Sequence, residues 1–304
     1  MRWQSANDGD PALFTAEDLL VPELGTGRMS DLEFLHVRAK RILNHVRGPS
    51  RAPANWTINV YRGCSHACSF CFARPTHAYL GLNIGDDFDR KIVVKINAVE
   101  KLRAELADPR WQHEPVAMGT NTDPYQRAEA KYKLTRGVLE ALTEHANPFS
   151  ILTKSPLVTR DLDVLGAAAA IADVSVNFSI ATLDERVWRA TEPGSPNPRR
   201  RIDAMARLAE AGIRTGALMS PILPGLSDRP EQLQAVVAAI RGAGGRLLGL
   251  GPLHLRPGVR EHFLGWLQTV DPRLHADYER RYATSDYAPA RYLDELYARA
   301  GLTR

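Results

Sequence analysis

The chain is poor in cysteine, with three in 304 residues, and it contains no long apolar run. A membrane-spanning helix needs about 20 consecutive, mostly apolar residues, so the sequence predicts no membrane segment. The N-terminal Met-Arg-Trp-Gln-Ser segment has no apolar core, which argues against a secretory signal. An odd number of cysteines argues against a disulfide framework. We therefore expect a soluble protein of the reducing cytoplasm.

Common catalytic motifs are also missing. Neither a Gly-x-Ser-x-Gly motif nor a Walker loop occurs, so nothing marks a serine hydrolase or a P-loop enzyme. The net charge of +4 is mild and permits an anionic substrate or a nucleic acid without requiring one. The densest basic run is the three arginines at 199–201, which are interpreted either as a solvated helix start or as a phosphate contact.

All three cysteines lie close together, as Cys64, Cys68 and Cys71. Thiolates are soft ligands that select iron–sulfur clusters, zinc or copper(I). A structural zinc site needs four protein ligands, and a 4Fe–4S cluster with four cysteines needs one more cysteine than the chain contains. Three thiolates on a 4Fe–4S cube leave one iron open to a small molecule. The C-x3-C-x2-C spacing therefore favours a cluster with an open iron.

A zinc site is the main alternative. His66 and His77 lie near the cysteines in the sequence, and either could complete a Cys3His site in a non-catalytic zinc-binding module. Zinc sites commonly bring their ligands in separated pairs, a spacing that this segment does not show. A hydrolase without a cofactor is less favoured, because His254 and the acidic residues lie in no recognisable nucleophile motif.

Short β-rich runs alternate with segments of helical periodicity from residue 56 onward. Strands are predicted at 57–61, 92–95, 116–119, 150–153, 174–180, 215–219 and 247–250. Helices are predicted at 98–106, 134–142, 201–211 and 229–241. This alternation is typical of an α/β fold with a parallel sheet, whose ligands bind at the carboxyl ends of the strands. Whether the sheet closes into a barrel is left open by the pattern.

Three regions are expected along the chain. Residues 1–50 are polar, contain an amphipathic stretch at 32–46, and are predicted to form an N-terminal extension. Residues 51–256 would form the α/β core. Residues 257–304, rich in Tyr and Arg, would form a C-terminal extension that closes the open side of a barrel. No coiled-coil pattern suggests assembly, so a monomer is expected.

The segment 55–80, with Tyr-Arg-Gly-Cys-Ser-His-Ala-Cys-Ser-Phe-Cys-Phe-Ala at its centre, resembles the radical S-adenosylmethionine (SAM) superfamily. The similarity is to the branch that includes spore photoproduct lyase and uncharacterised actinobacterial proteins. It continues in Gly-Thr-Asn-Thr-Asp-Pro-Tyr-Gln at 119–126 and in shorter pieces at 152–155, 160–162, 220–225 and 253–257, so that it covers about residues 40–290. The resemblance implies a partial (β/α)6 TIM-type barrel.

The resemblance also implies an enzyme with two cofactors. Cys64, Cys68 and Cys71 would hold a 4Fe–4S cluster whose open iron is chelated by SAM. An electron from a donor such as flavodoxin or ferredoxin would cleave SAM to a 5′-deoxyadenosyl radical that abstracts hydrogen from the substrate. The residues implied to contact SAM or line its pocket are Phe70, Asn121, Thr122, Asp123, Lys154, Ser179 and Pro221.

The chain departs from the family pattern at the residue that returns hydrogen to the product radical. Spore photoproduct lyase has a further cysteine that returns a hydrogen atom to the product radical, and this chain has none. Tyr125 or Tyr79 would have to replace it, or the reaction is not thymine-dimer repair, which we favour. The substrate is then either a nucleic acid or nucleotide, or a peptide or small metabolite, and the reaction is of the lyase or oxidoreductase type.

Overall fold

The β-rich runs form strands in the computed structural model, which describes residues 21–46 and 54–303. The strands are β1 (Glu23–Leu24), β2 (Glu33–Val37), β3 (Asn44–His45), β4 (Trp56–Ile58), β5 (Tyr61–Arg62), β6 (Lys91–Lys95), β7 (Val116–Met118), β8 (Phe149–Thr153), β9 (Val174–Ser179), β10 (Thr215–Ile222) and β11 (Arg246–Pro252). All seven predicted strands are present, although the one predicted at 57–61 is divided into β4 and β5.

The four segments predicted from helical periodicity form helices, and the described residues contain seven further α-helices. The helices are α1 (Asp86–Arg90), α2 (Ala98–Leu106), α3 (Arg127–Tyr132), α4 (Leu134–Glu144), α5 (Leu162–Ala169), α6 (Glu185–Thr191), α7 (Pro198–Glu210), α8 (Pro230–Gly242), α9 (Val259–Val270), α10 (Pro272–Arg281) and α11 (Ala290–Arg299). In α8, proline occupies the first turn, where its missing N–H costs nothing, and Leu233, Val236, Val237 and Ile240 form a buried apolar face. None of the helices in the described residues is long and apolar enough to cross a bilayer.

The chain forms two compact units. The first comprises the described residues up to 65 together with 76–152 and 160–175. In it β4, β7 and β8 are parallel neighbours, and β3 pairs with β4 in the antiparallel sense. Because β4 and β7 are parallel and adjacent, the residues that follow them lie at one edge of the sheet. Those residues are Asn59 and the segment that begins at Gly119.

A second sheet in the first unit was not predicted. It has the order β1-β2-β6-β5, in which β2 and β6 are parallel and the outer pairs are antiparallel. The strand predicted at 92–95 therefore exists as β6, but its expected place beside the barrel strands is wrong. It pairs instead with β2, which the amphipathic stretch 32–46 supplies. Residues 1–20 and 47–50 of the predicted N-terminal extension lie outside the described residues.

The second unit comprises residues 66–75, 153–159 and 176–304. Its strands β9, β10 and β11 are parallel, and β10 lies between the other two. An apolar cluster joins the cysteine segment to the C-terminal helices, because Cys68 and Phe70 pack with Leu253, Phe263 and Tyr278. The predicted α/β class with mostly parallel strands is confirmed. The region boundaries at residues 50 and 256 stay a prediction.

Candidate functional site

The cysteine segment begins with a glycine whose backbone no other residue adopts easily. Gly63 has φ 80°, in the left-handed region. A Cβ at this position would lie 2.8 Å from Cε1 of His77 and 2.9 Å from the carbonyl oxygen of Phe88. The next residue, Cys64, is buried, and its N–H donates to the same carbonyl of Phe88 at 2.9 Å. The path of the chain into Cys64 thus depends on a glycine at 63.

The backbone on both sides of Cys64 is held by the block at 119–126. The hydroxyl of Thr122 donates to the carbonyl oxygen of Gly63 at 2.6 Å, and the amide of Gln126 donates to the same oxygen at 3.0 Å. The N–H of Ser65 donates to Oε1 of Gln126 at 2.9 Å. Thr122 and Gln126 are both buried. The structure therefore gives Thr122 a contact to the cysteine segment, and Gln126 makes two further contacts to it that the sequence did not predict.

Asn59 connects the ends of β4 and β7. Its Oδ1 accepts the N–H of Asn121 at 3.0 Å, and its Nδ2 donates to the hydroxyl of Thr120 at 3.1 Å. Asp123 caps the following turn, since its Oδ1 accepts the N–H of Tyr125 at 2.9 Å. Asn121, Thr122 and Asp123, all predicted from the sequence, are thus together at the carboxyl edge of the first unit's parallel strands.

In the second unit, Arg74 organises the other two cysteines. Its guanidinium is buried and donates twice to the carbonyl oxygen of Cys68, from Nε at 3.0 Å and from Nη2 at 2.9 Å. The N–H of Cys71 donates to that same oxygen at 3.2 Å. Cys68 is buried and Cys71 is half-buried, and both pack against the apolar cluster. Arg74 therefore fixes the turn that carries these thiols.

The donor chemistry of the cysteines fits an iron–sulfur cluster. All three thiols are reduced, and thiolates are the usual ligands of such clusters. In the part of the chain that the structure describes, no three His, Cys, Asp or Glu side chains converge as the ligands of a single metal ion do. In a 4Fe–4S cube each thiolate binds a different iron, so the three ligands do not need to converge on one point.

Lys154 follows β8, as predicted, and its ammonium lies over the ring of Phe70. Its Nζ lies 5.4 Å from the centre of the Phe70 ring and donates to Oε1 of Glu192 at 2.6 Å. Burial opposes ionisation of Glu192, but the charges of Arg201 and Lys154 lower the pKa of its carboxyl to about 2. The carboxylate is thus anionic at neutral pH and holds the Lys154 ammonium in place.

Arg201 extends this network to the other predicted residues. Its Nη2 donates to Oε2 of Glu192 at 2.6 Å, and its Nη1 donates to the carbonyl oxygen of Ser179 at 2.8 Å. The hydroxyl of Ser179 donates to the carbonyl oxygen of Ser220, the residue before Pro221, at 3.0 Å. Four predicted residues of the second unit, Phe70, Lys154, Ser179 and Pro221, are therefore linked through two that were missed.

The sequence contained one signal for Glu192 and Arg201, the two residues that were not predicted. Arg201 lies on the face of α7 that also presents Ala204, Met205 and Leu208 to the interior. An arginine on an otherwise apolar helix face requires a buried acceptor, and Glu192 is that acceptor. The basic run at 199–201 is consequently not a continuous charged surface, because its third member is 1% exposed.

The two predicted catalytic tyrosines differ in their surroundings. Tyr125 is buried, and its hydroxyl donates to Oδ2 of Asp161 at 3.1 Å. Burial, and then the charge of Asp161, raises the pKa of this hydroxyl well above its usual range. Tyr79 is 54% exposed and lies in a 3₁₀ helix at Arg74–Leu80. The catalytic roles of both tyrosines stay predictions.

An aromatic group follows the carboxyl end of β11. The rings of His254 and Tyr287 are stacked with centroids 5.7 Å apart, and Phe72, which follows Cys71, lies 6.3 Å from His254. Phe72 and Tyr287 are each 37% exposed. The guanidinium of Arg256 donates to the Tyr287 hydroxyl at 2.9 Å. We refer to Phe72, His254, Tyr287 and Arg256 as the aromatic group.

The fold of this chain is similar to that of a solved enzyme. A cysteine-to-serine mutant of spore photoproduct lyase superposes with a TM-score of 0.61 and 15% identity, over 91% of this chain and 82% of the lyase. At this identity the similarity concerns the fold alone, and it is the fold that the sequence resemblance implied.

Two similar sequences are a bacterial and a phage protein. An uncharacterised protein of Mycobacterium tuberculosis is 41% identical over 280 residues, which are 92% of this chain and 82% of that protein. A protein named radical SAM Nalpha-GlyT isomerase, of Pseudomonas phage M6, is 26% identical over 227 residues, 73% of this chain and 43% of that protein. The family model described as the radical SAM superfamily matches residues 58–236, which include all three cysteines. The chain belongs to the radical SAM superfamily and is an enzyme with radical SAM chemistry.

Proposed function

We propose that Cys64, Cys68 and Cys71 hold a 4Fe–4S cluster and that Asn121, Asp123, Lys154 and Ser179 bind SAM beside it. When bound, the cluster and SAM together supply a 5′-deoxyadenosyl radical that removes hydrogen from an unreactive C–H bond. The protein's part is to bind, orient and exclude water. The observation that supports this most directly is the attachment of Gly63 and Ser65 to Thr122 and Gln126.

That attachment is suited to a cluster with three ligands. With no fourth cysteine in the chain, the cluster is held at three corners, and the cysteine segment has to be rigid by other means. Thr122 and Gln126 fix the backbone at Cys64, and Arg74 fixes it at Cys68. Partners of this kind orient metal ligands and tune the potential of the site. We therefore assign Thr122 a positioning role rather than a direct contact with SAM.

Lys154 is the proposed partner of the SAM carboxylate. An ammonium has three donors, so its bond to Glu192 is compatible with a second bond to a carboxylate. Glu192 and Arg201 keep Lys154 beside Phe70, whose ring is proposed to lie near the adenine. Ser179 and Pro221 are proposed to contact the ribose and adenine, because they are joined at the ends of β9 and β10.

The hydrogen returned to the product radical needs a donor. The O–H of Tyr125 is committed to the Asp161 carboxylate, whereas Tyr79 is more than half exposed. We therefore place Tyr79 ahead of Tyr125 as the candidate. The electron that starts the reaction is proposed to come from a small redox protein such as flavodoxin or ferredoxin, since radical SAM enzymes generally need an electron donor.

The aromatic group supports a nucleotide or nucleic acid over a peptide or small metabolite as the substrate. Exposed aromatic rings beside a guanidinium are typical of sites that stack nucleobases. The support that the arginine run offered is weaker, since Arg201 is buried. Spore photoproduct lyase has been solved with a dinucleoside spore photoproduct, which agrees with this choice.

The substrate class is tested by binding. We expect labelled single-stranded DNA or RNA to shift in a native gel, with an affinity that falls steeply with salt. Tyr287→Leu and Arg256→Ala should weaken the shift, whereas Arg273→Ala, which removes the same charge from an exposed position on α10, should weaken it less. If nucleic acid does not bind, or binds with an affinity that does not change with salt, a nucleic-acid substrate is excluded. The substrate would then be a peptide or small metabolite.

The cofactor assignment is tested under anaerobic conditions. The protein is reconstituted with iron and sulfide, reduced with dithionite and given SAM, and 5′-deoxyadenosine is measured. We expect nucleoside release by the wild type and none by Cys64→Ala, Cys68→Ala or Cys71→Ala. A protein that takes up zinc instead of iron and never cleaves SAM would support the Cys3His alternative and overturn the proposal.

A further inference from the structure

Lys95 is a buried cation at the end of a strand. It is the last residue of β6 and is 4% exposed. Its ammonium donates to the carbonyl oxygen of Asn59 at 2.7 Å, and its backbone N–H donates to the carbonyl oxygen of Val60 at 3.1 Å. Lys95 therefore holds the segment between β4 and β5 through both its side chain and its main chain.

The residue that Lys95 holds is the one that orders the loop after β7. The side chain of Asn59 accepts the N–H of Asn121 and donates to the hydroxyl of Thr120. Lys95 thus holds the main chain of Asn59, whose side chain in turn binds Asn121, and all three residues belong to the first unit. The bond at Asn59 is charge-assisted when Lys95 is protonated, and such bonds are roughly twice as strong as neutral ones.

Burying this ammonium is unfavourable. Burial, and then the nearby positive charge of Arg62 on β5, lowers the pKa of Lys95 to about 7, while Glu105 on α2 acts in the opposite direction. A methionine of similar length would fill the same space without that cost. A buried lysine with a lowered pKa that bonds to Asn59, the residue after β4, is a candidate for a functional role.

We propose that Lys95 is a positioning residue for SAM, which holds Asn59 and, through it, Asn121 in the orientation that binds the cofactor. The proposal rests on the assignment of Asn121 to the SAM site. Protonated Lys95 favours the binding orientation, and the neutral amine holds Asn59 less firmly. Lys95 itself touches neither SAM nor the cluster in this arrangement.

The test measures SAM binding rather than turnover. Wild type, Lys95→Met, Lys95→Arg and Lys91→Met are reconstituted, their iron content and melting temperature are recorded, and the Kd for SAM is measured by equilibrium dialysis. Lys91 is the matched control, because it lies on the same strand and pairs with Asp87 at the surface. We expect Lys95→Met to weaken SAM binding about tenfold or more, with iron content unchanged and Lys91→Met like the wild type.

The pH profile separates positioning from packing. The affinity of the wild type for SAM should fall as the pH rises through about 7, where Lys95 loses its charge. Lys95→Met should lack this dependence, and Lys95→Arg, which stays charged, should restore part of the affinity without it. The inference about Lys95 is overturned if the wild-type affinity does not change with pH, or if Lys95→Met binds SAM like the wild type. Neither result would contradict the proposed function. Wild type that binds no SAM overturns the proposed function as well.

Discussion

Glu192 and Arg201 form an ion pair in the interior of the second unit, with Oε2 and Nη2 2.6 Å apart and side chains 5% and 1% exposed. The same carboxylate binds Lys154 through its other oxygen. Two cations therefore share one anion, and each depends on it for compensation of its charge. The pair connects the helix α7 to the residues proposed to bind SAM, so that stability and cofactor binding depend on the same contact.

Glu192→Gln should be strongly destabilising. It leaves the buried Arg201 without its anion, and breaking a buried pair on one side costs about 3–5 kcal/mol. Urea unfolding at neutral pH measures this loss. Glu185→Gln is the control, because Glu185 forms an exposed i,i+4 pair with Arg189 that contributes about 0.5 kcal/mol or less. Equal losses of unfolding free energy in the two variants would show that the buried pair stabilises the protein no more than the exposed pair does.

The same pair predicts an acid-sensitive stability. The pKa of Glu192 is about 2 in the folded chain, against an ordinary value of 4.5. The unfolded chain therefore binds more protons between these values, and the contribution of Glu192 is complete above pH 4.5 and lost as the pH falls toward 2. The difference in unfolding free energy between wild type and Glu192→Gln should shrink over this window. A constant difference would contradict the lowered pKa.

Lys95 should make the unfolding free energy depend on pH above neutrality. Its pKa is about 7 in the folded chain and 10.5 ordinarily, so the unfolded chain binds the extra proton between these values. The unfolding free energy of the wild type should therefore rise with pH in that window, by up to about 1.4 kcal/mol per pH unit from this group. Lys95→Met should lack this slope and be the more stable protein near pH 7. Parallel curves for the two proteins would refute the prediction.

Gly63→Ala should disturb the cysteine segment. The new Cβ would meet the His77 ring and two backbone oxygens at a left-handed backbone position, and such strain costs about 1–3 kcal/mol. We expect a lower melting temperature and less iron bound after reconstitution. Gly166→Ala is the matched control, because this glycine lies inside α5 with nothing within 4 Å of the added Cβ. It should raise stability by about 0.5–1 kcal/mol.

Thr122 and Gln126 should act together on Cys64. Thr122→Val and Gln126→Leu each remove one of the two donors to the carbonyl oxygen of Gly63. Gln126→Leu also leaves the buried N–H of Ser65 without its acceptor, at about 1–3 kcal/mol for an unsatisfied buried group. Gln126 also donates to the Thr122 hydroxyl at 2.9 Å, so the double variant should lose less than the sum. Thr143→Val, which removes a hydroxyl bonded within α4, serves as control. Additive losses within about 0.5 kcal/mol would show that the two residues act independently.

Local pattern was sufficient for the strands and helices that were predicted in the α/β core. The helix predicted at 98–106 has those bounds in the structure, and the strand predicted at 150–153 differs from β8 by one residue. Both signals reside in neighbouring side chains, whose periodicity of 3.6 or 2 reports which face is buried. The pairing of β6 with β2 could not be seen this way, because β2 lies in the amphipathic stretch 32–46, more than fifty residues before β6.

The sequence by itself determined the donor chemistry and the family. Three cysteines at C-x3-C-x2-C spacing limit the metals that can bind, because ligand type and number are properties of composition. Tertiary structure alone decided that Arg201 points inward to Glu192, that Gln126 bonds Ser65 beside Cys64, and that Lys95 reaches Asn59. The last two contacts join residues 61 and 36 positions apart, and the first joins residues nine positions apart that only the fold brings together in the interior. The burial of these groups exists only after the chain has folded.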